Sequence, residues 1–343
     1  MRALKVLDAV PGPELYDALR AALDGSGPAV LPVSTDPAER ARVLAGQGEA
    51  VDDEVCLLVP TSGSTGEPKL VELTSACLTA SMTATASVIG EGAWWITLPV
   101  THIGGLQVLL RSLTAGHDPR PDPEGCRFTS LVPTQLQRML DDTRLTTLDT
   151  VLLGGAAAAP SLLDAARARG IRVVTTYGMS ETSGGCVYDG QPLPGVTVDV
   201  SDRIVIGGDV VARSYRGGPA FDGTFVTSDL GELRDGSLTV LGRADDLIVT
   251  GGEKVVPLLV EQALASLDVV KDVAVIGVPD AEWGQRVVAF VTLNGPLDLQ
   301  AAREAVAARV SRVAAPRELR VVDALPLLPG GKVDRVRLRS ETP

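Results

Sequence analysis

Between about Glu54 and Tyr177, short apolar runs alternate with segments of helical period, and this alternation constrains the fold of the 343-residue chain more than any other feature. Val55–Val59, Trp94–Val100, Phe128–Val132, Val151–Leu153 and Val173–Val174 read as strands. Thr74–Ile89, Gly105–Thr114, Gln135–Leu140 and Ser161–Arg169 read as the helices between them. Strands that are apolar almost throughout need a sheet covered on both faces, since a half-exposed strand would alternate polar and apolar residues. The expected fold class is α/β, with a layered α/β large domain. Past Gly178 the texture changes. Residues 186–242 are rich in Val, Thr, Gly and Asp with period-two alternation, as in Arg203–Ile206 and Ser237–Val240, which predicts a small antiparallel β subdomain. From Asp245 onward the pattern is α+β: a helix near Leu258–Ser266, strands Val273–Val278 and Val287–Leu293, and a helix near Leu299–Arg309. The expected division is an N-terminal domain of residues 1–243 and a smaller C-terminal domain of residues 244–343.

Charge and rare residues narrow the function. Lys and Arg number 31 against 43 Asp and Glu, a formal charge of −12, which argues against a duplex-DNA binder. A few aimed cations can still build a local anion site. Lysine is scarce, confined to positions 5, 69, 254, 271 and 332, so each one invites a reason. Cys56, Cys77, Cys126 and Cys186 form no C-x-x-C pair, which disfavours metal knuckles and redox dithiols and suits a reducing compartment. Two histidines, His102 and His117, exclude a multi-histidine metal site. No run reaches the roughly 18 apolar residues of a membrane span, and the N-terminus has no apolar core of signal-peptide length. A globular, cytoplasmic chain is expected.

The strongest local signal directly follows the first apolar strand: Thr61, Ser62, Gly63, Ser64, Thr65, Gly66, Glu67, Pro68, Lys69. Glycines let backbone N–H groups approach oxygen atoms, hydroxyls donate further hydrogen bonds and the lysine adds charge, so the segment suits a polyanion. It is not a Walker A loop, which needs lysine immediately after its second glycine.

Five further motifs follow in order: Thr176–Thr182 (TYGMSET), Thr227–Glu232 (TSDLGE), Gly242–Asp246 (GRADD), Gly251–Val255 (GGEKV) and Pro329–Val333 (PGGKV). Together with the hydroxyl-rich loop they resemble the adenylate-forming superfamily of acyl-CoA synthetases, adenylation domains and luciferases, over most of the chain. The resemblance implies ATP, Mg²⁺ and coenzyme A as co-substrates and cofactors. It implies that Thr61–Gly66, Gly154, Gly155, Ala156, Thr176, Tyr177, Gly178, Met179, Ser180 and Thr182 line the nucleotide, with Tyr177 against adenine. Asp229 and Arg243 would reach the ribose, and Glu181 would hold Mg²⁺, a hard cation that prefers oxygen ligands. Lys69 and Lys332 would be catalytic, Lys332 bridging the acyl carboxylate and the α-phosphate. Asp245 matches the hinge about which a mobile C-terminal lid swings, and Gly251, Gly252, Glu253 and Lys254 would then approach coenzyme A. Each residue also has an ordinary reading: core tyrosine, helix-capping carboxylate, turn aspartate, solvated arginine, terminal lysine.

The acyl pocket is expected near Leu98–Leu113. His102 matches the family's gate position and is counted with the catalytic residues. Gln107 and Arg111, four apart on a helix starting near Gly104, share a face. Burying an arginine beside a fatty acid is expensive, so Arg111 suggests a second substrate carboxylate; the alternative is a surface arginine. This segment, Thr129–Leu136, Leu152–Ala156 and Gly178–Gly190 resemble the o-succinylbenzoate–CoA ligases of menaquinone biosynthesis within the superfamily. About 60 residues precede the phosphate loop, fewer than in most of the superfamily. The short form resembles actinobacterial members, and the Lys-poor, Arg-rich composition fits a high-GC genome. What completes the large domain is left open, a homodimer being one answer. Another acyl or aryl acid, a carrier protein as thiol acceptor, and a catalytically silent nucleotide-binding homologue remain alternatives.

Overall fold

The computed structural model describes residues 1–45, 48–62, 68–327 and 333–342. The chain opens with strand β1 (Arg2–Asp8), helix α1 (Pro13–Leu23), β2 (Ala29–Val33), α2 (Pro37–Leu44), β3 (Ala50–Val51), β4 (Val55–Ser62) and β5 (Pro68–Thr74). β2 and β4 each run parallel to a neighbour, whereas β4 and β5 pair antiparallel, Ser62 opposite Pro68. Residues 2–51 thus supply three of the six strands of this sheet.

Helix α3 (Ser75–Ile89) starts where the Thr74 hydroxyl accepts the Cys77 N–H at 3.1 Å, a side-chain cap for an otherwise unpaired donor. β6 (Trp94–Trp95), α4 (Ile103–Thr114), β7 (Phe128–Leu131), α5 (Pro133–Met139), β8 (Thr150–Leu153), α6 (Pro160–Ala168) and β9 (Val173–Met179) follow. β6 to β9 are parallel neighbours in a second sheet, as the strand–helix alternation predicts. α3 packs on β4, β5 and β10 (Gly184–Tyr188), and α4 on α1, β6, β7 and β10. Every residue of α4 from Gly105 to Leu113 is buried, the polar Gln107, Arg111 and Ser112 among them. Two expectations need correction here. The strand expected over Trp94–Val100 stops at Trp95, where the Ile96 N–H goes to the Arg120 carbonyl at 2.8 Å. Beyond it the Thr97 hydroxyl bonds the Ser130 carbonyl at 2.5 Å instead.

The stretch expected as one β subdomain, 186–242, is divided among sheets. β10 and β11 (Gln191–Pro192) extend the second sheet antiparallel, because Cys186, Val187 and Tyr188 belong to its core with Trp94 and Phe128. β12 (Thr197–Val200), β13 (Ile204–Gly207) and β15 (Thr224–Val226) form a small sheet, while β14 (Ser214–Tyr215) joins β5 at the edge of the first. β16 (Asp229–Arg234) and β17 (Ser237–Arg243) make a separate hairpin.

After a 3₁₀ turn at Ala244–Asp246, the chain builds a further sheet from β18 (Ile248–Thr250), β19 (Glu253–Val255), β20 (Val270–Asp280), β21 (Gly284–Leu293) and β22 (Glu318–Val321). Helices α7 (Pro257–Ala265), α8 (Leu299–Arg309) and α9 (Arg335–Ser340) complete this part. It has apolar clusters of its own, around Ile248, Val260, Val275 and Val306 on one side and Ile276, Val288 and Leu338 on the other. Among the described residues no helix is long and apolar enough to cross a membrane.

Candidate active site

The end of β9 turns back into β10 through the 3₁₀ turn Ser180–Thr182. Gly178 has to be glycine: a Cβ there would stand 2.1 Å from the Gly184 carbonyl oxygen. The Met179 N–H donates to the Thr182 hydroxyl at 2.9 Å, and that hydroxyl lies 2.8 Å from the Gly184 carbonyl. The tight reversal leaves Glu181 only 8% exposed. The Tyr215 hydroxyl donates to its Oε1 at 2.6 Å, and burial first, then the Glu181 carboxylate, pushes that phenol above its ordinary value. Glu181 forms no ion pair with any described residue. A buried carboxylate without a cation is costly, so its surroundings suit a bound cation. No group of three or more His, Cys, Asp or Glu among the described residues could hold a metal. One buried carboxylate is a hard oxygen donor of the kind Mg²⁺ takes, its remaining ligands then coming from waters and substrate phosphates.

The structure brings Tyr177, Asp229 and Arg243 together. The Tyr177 hydroxyl donates to Asp229 Oδ2 at 2.8 Å, and Arg243 Nη1 lies 3.6 Å from Asp229 Oδ1. The register of the β16–β17 hairpin, which sets Asp229 opposite Arg243, makes this meeting inevitable. Burial, followed by the charge of Asp229, raises the Tyr177 phenol, which stays a proton donor throughout the physiological range. Arg243 also reaches Asp245 at 3.2 Å, so ribose and hinge candidates share one guanidinium. Thr176 donates to the Leu153 carbonyl at 3.4 Å. Gly154 follows β8, its N–H bonded to the Leu131 carbonyl at 3.1 Å, and Gly155 and Ala156 are exposed.

Thr61 and Lys69 face each other across the β4–β5 hairpin, the Thr61 hydroxyl donating to the Lys69 carbonyl at 3.3 Å; Ser62 pairs with Pro68. Lys69 Nζ stands 5.0 Å from the Tyr215 ring centroid. Gly63, Ser64, Thr65, Gly66 and Lys332 lie outside the described residues. Gly251 and Gly252, at φ +59° and +82°, form the two-residue turn between β18 and β19, a pair of positive φ values that glycine adopts without strain. Glu253 and Lys254 are exposed beside it.

At the acyl candidates the outcome is mixed. His102 is exposed at the N-cap of α4, its Nδ1 2.8 Å from the Thr101 hydroxyl. Gln107 is buried and donates to the Ser183 carbonyl at 2.5 Å, which ties α4 to the Glu181 turn; its buried Oε1 has no hydrogen-bond partner among the described residues. Arg111 is 9% exposed, its guanidinium carbon 5.3 Å from the Trp94 ring centroid, and its Nε likewise has none among them. It is no surface arginine. Sequence reasoning missed Tyr215, which bridges Glu181 and Lys69, and the stack of Arg317 on Trp283 at 3.8 Å. The rarity of tyrosine, four in the chain, was the available signal for Tyr215.

Two family models match the chain: AMP-binding enzyme over residues 15–207 and AMP-binding enzyme C-terminal domain over residues 259–332. The chain belongs to the AMP-binding enzyme family. This AMP-binding enzyme is 46% identical to the "Probable 2-succinylbenzoate--CoA ligase" of Mycobacterium tuberculosis, over 98% of this chain and 97% of that one. It is 36% identical to the 2-succinylbenzoate--CoA ligase of Escherichia coli over 69% of this chain and 58% of the other. Its fold is similar to wild-type E. coli MenE bound to an m phenylether-linked analogue of OSB-AMS, with TM-score 0.80 and 28% identity over 99% of this chain and 88% of that one. It is also similar to the o-succinylbenzoate CoA synthetase of Bacillus subtilis in complex with the acyl-adenylate intermediate OSB-AMP, at TM-score 0.76 and 26% identity over 98% and 83%.

Proposed function

We propose that this AMP-binding enzyme is a 2-succinylbenzoate–CoA ligase of menaquinone biosynthesis, working on ATP, coenzyme A and the dicarboxylic acid. The observation that carries the reading is similarity over nearly the whole chain to the M. tuberculosis ligase. Arg111 supplies its physical counterpart, a buried cation with no ion pair to a described residue, suited to the second carboxylate of such an acid.

In the first step a substrate carboxylate oxygen attacks the α-phosphorus of ATP; the new O–P bond forms as the bond to the β-phosphate oxygen breaks, and pyrophosphate leaves. The nucleophile is already anionic, so the protein needs no general base, and catalysis consists of positioning and electrostatics. Tyr177 and Asp229 locate the nucleoside, Lys69 and Lys332 the phosphates and acyl oxygens, and Glu181 holds Mg²⁺, which neutralises phosphate charge when bound. In the second step the coenzyme A thiolate attacks the acyl carbon, the C–S bond forms, and AMP departs with the C–O electron pair. Ala244–Asp246 is the hinge in this reading, and Gly251–Lys254 the part brought to the thiol. Cytoplasmic location and a homodimer belong to the same reading, the latter tested by sedimentation velocity.

Pyrophosphate release measured across a panel of acids tests the assignment. Turnover is expected with 2-succinylbenzoate and thioester formation with free coenzyme A. Turnover confined to simple benzoates or fatty acids, a requirement for a carrier protein, or silence with every acid would each overturn it. Arg111→Ala is expected to lower kcat/KM for the dicarboxylate by roughly tenfold or more, the scale of a lost charged hydrogen bond. A monocarboxylic analogue should suffer far less, and equal losses would make Arg111 a packing residue.

A further inference from the structure

Strand β14 is held more firmly than its two residues suggest. Tyr215 pairs with Val71 of β5, and Ser214 with Glu72. Glu72 is buried; it accepts the Ser214 hydroxyl at 2.9 Å and lies 3.6 Å from both Arg213 Nη1 and Arg216 Nη1. Arg213 further pairs with Asp52, and Arg216 donates to the Ala50 carbonyl at 3.1 Å. Phe221 meets the Tyr215 ring edge-on at 5.1 Å and Phe225 at 6.4 Å. Against this fixed backing, the Tyr215 hydroxyl holds Glu181 Oε1 at 2.6 Å while its ring sits 5.0 Å from Lys69 Nζ. Three distant parts of the chain meet at one side chain: the turn after β9, the hairpin lysine of β5, and β14.

We propose that Tyr215 is a positioning residue for the metal-bound triphosphate, its hydroxyl fixing the Glu181 carboxylate and its ring keeping the Lys69 ammonium beside it. An anionic ligand whose orientation is set by a hydrogen-bond donor loses less freedom when a metal arrives, and such outer partners govern metal affinity. The Lys69 ammonium gains attraction from the ring face without being neutralised, so its charge stays available to phosphate oxygens. The ring and the hydroxyl therefore do separable work. The proposal rests on Glu181 as the metal carboxylate.

The experiment is titration of Mn²⁺ by electron paramagnetic resonance on the full chain with ATP and no acyl acid, alongside calorimetric titration of ATP without metal. Tyr215→Phe keeps the ring and is expected to weaken Mn²⁺ binding roughly tenfold, with metal-free ATP binding within about twofold of the parent. Tyr215→Leu, which also removes the ring, is expected to weaken metal-free ATP binding as well. In turnover, Tyr215→Phe should raise the Mg²⁺ concentration needed for half-maximal rate. Parent-like Mn²⁺ affinity in Tyr215→Phe overturns the proposal, as does an equal fall in metal-bound and metal-free ATP binding. Glu181→Gln separates the two layers. If it loses Mn²⁺ while Tyr215→Phe does not, only the role of Tyr215 fails; if it binds Mn²⁺ as the parent does, the assignment of Glu181 fails and Tyr215 with it.

Discussion

A thiol reacts as thiolate, so its reactivity follows its acidity and its access to reagent. All four cysteines are buried. Burial pushes Cys56 up to about 12 and Cys186 up to about 11, and raises Cys126 as well. Raised values mean a smaller thiolate fraction at any working pH. The folded protein is therefore expected to resist iodoacetamide at pH 8, all four thiols reacting after unfolding in guanidinium; mass spectrometry counts the adducts. One rapidly alkylated cysteine in the folded chain would contradict the packing. The spacing of these residues, with no C-x-x-C pair, was legible in the sequence. Arg111 is the opposite case: its sequence position allowed a surface residue or a pocket residue equally, and the packing of α4 against α1 and the second sheet excludes the surface.

At the scale of elements, helix α9 is anchored by the buried Leu338, by Arg339 on Asp246 and by the pair of Arg335 with Glu261. Glu261 on α7 accepts Arg335 Nη2 at 2.6 Å and the Val275 N–H at 2.8 Å. Burial pushes its carboxyl up while the Arg335 charge pulls it down. Removing one partner of a buried pair strands the other, so Glu261→Ala is expected to destabilise the chain by about 3 kcal/mol. Urea unfolding followed by circular dichroism measures this, and a loss under about 1 kcal/mol, the level of an exposed pair, would show the pair to be idle. Element positions were most legible where periodicity is local. The helix Leu299–Arg309 was read to its last residue, and the helix after Thr74 to within its cap. β14 was not legible, because a two-residue strand has no period and exists only through pairing with β5, far away in sequence. The division of 186–242 escaped for the same reason: alternation indicates a strand but not which sheet it joins.

For the molecule as a whole, the motifs made the order of the candidate site residues legible, and the structure supplied the contacts among Tyr177, Asp229 and Arg243 that spacing could not. If Ala244–Asp246 is where the C-terminal part turns between two half-reactions, restricting one backbone angle there should separate them. Proline fixes φ near −65°. Asp245→Pro is expected to keep pyrophosphate release within a few-fold and to lower thioester formation roughly tenfold or more, as for a blocked conformational step. Asp245→Ala, which removes the contact with Arg243 but not the freedom, controls for the side chain. Equal rates of both steps in the proline variant would remove the hinge.

The carboxylate of Asp229 already has company within the chain, a phenol at 2.8 Å and a guanidinium at 3.6 Å. A ribose competing for that oxygen exchanges one set of hydrogen bonds for another, and exchange yields far less than formation from nothing. The same arithmetic applies when AMP departs. In the proposed reading Tyr177 and Arg243 would take back what the sugar gives up, so a pocket that grips its nucleotide modestly would also be quick to let the spent half go.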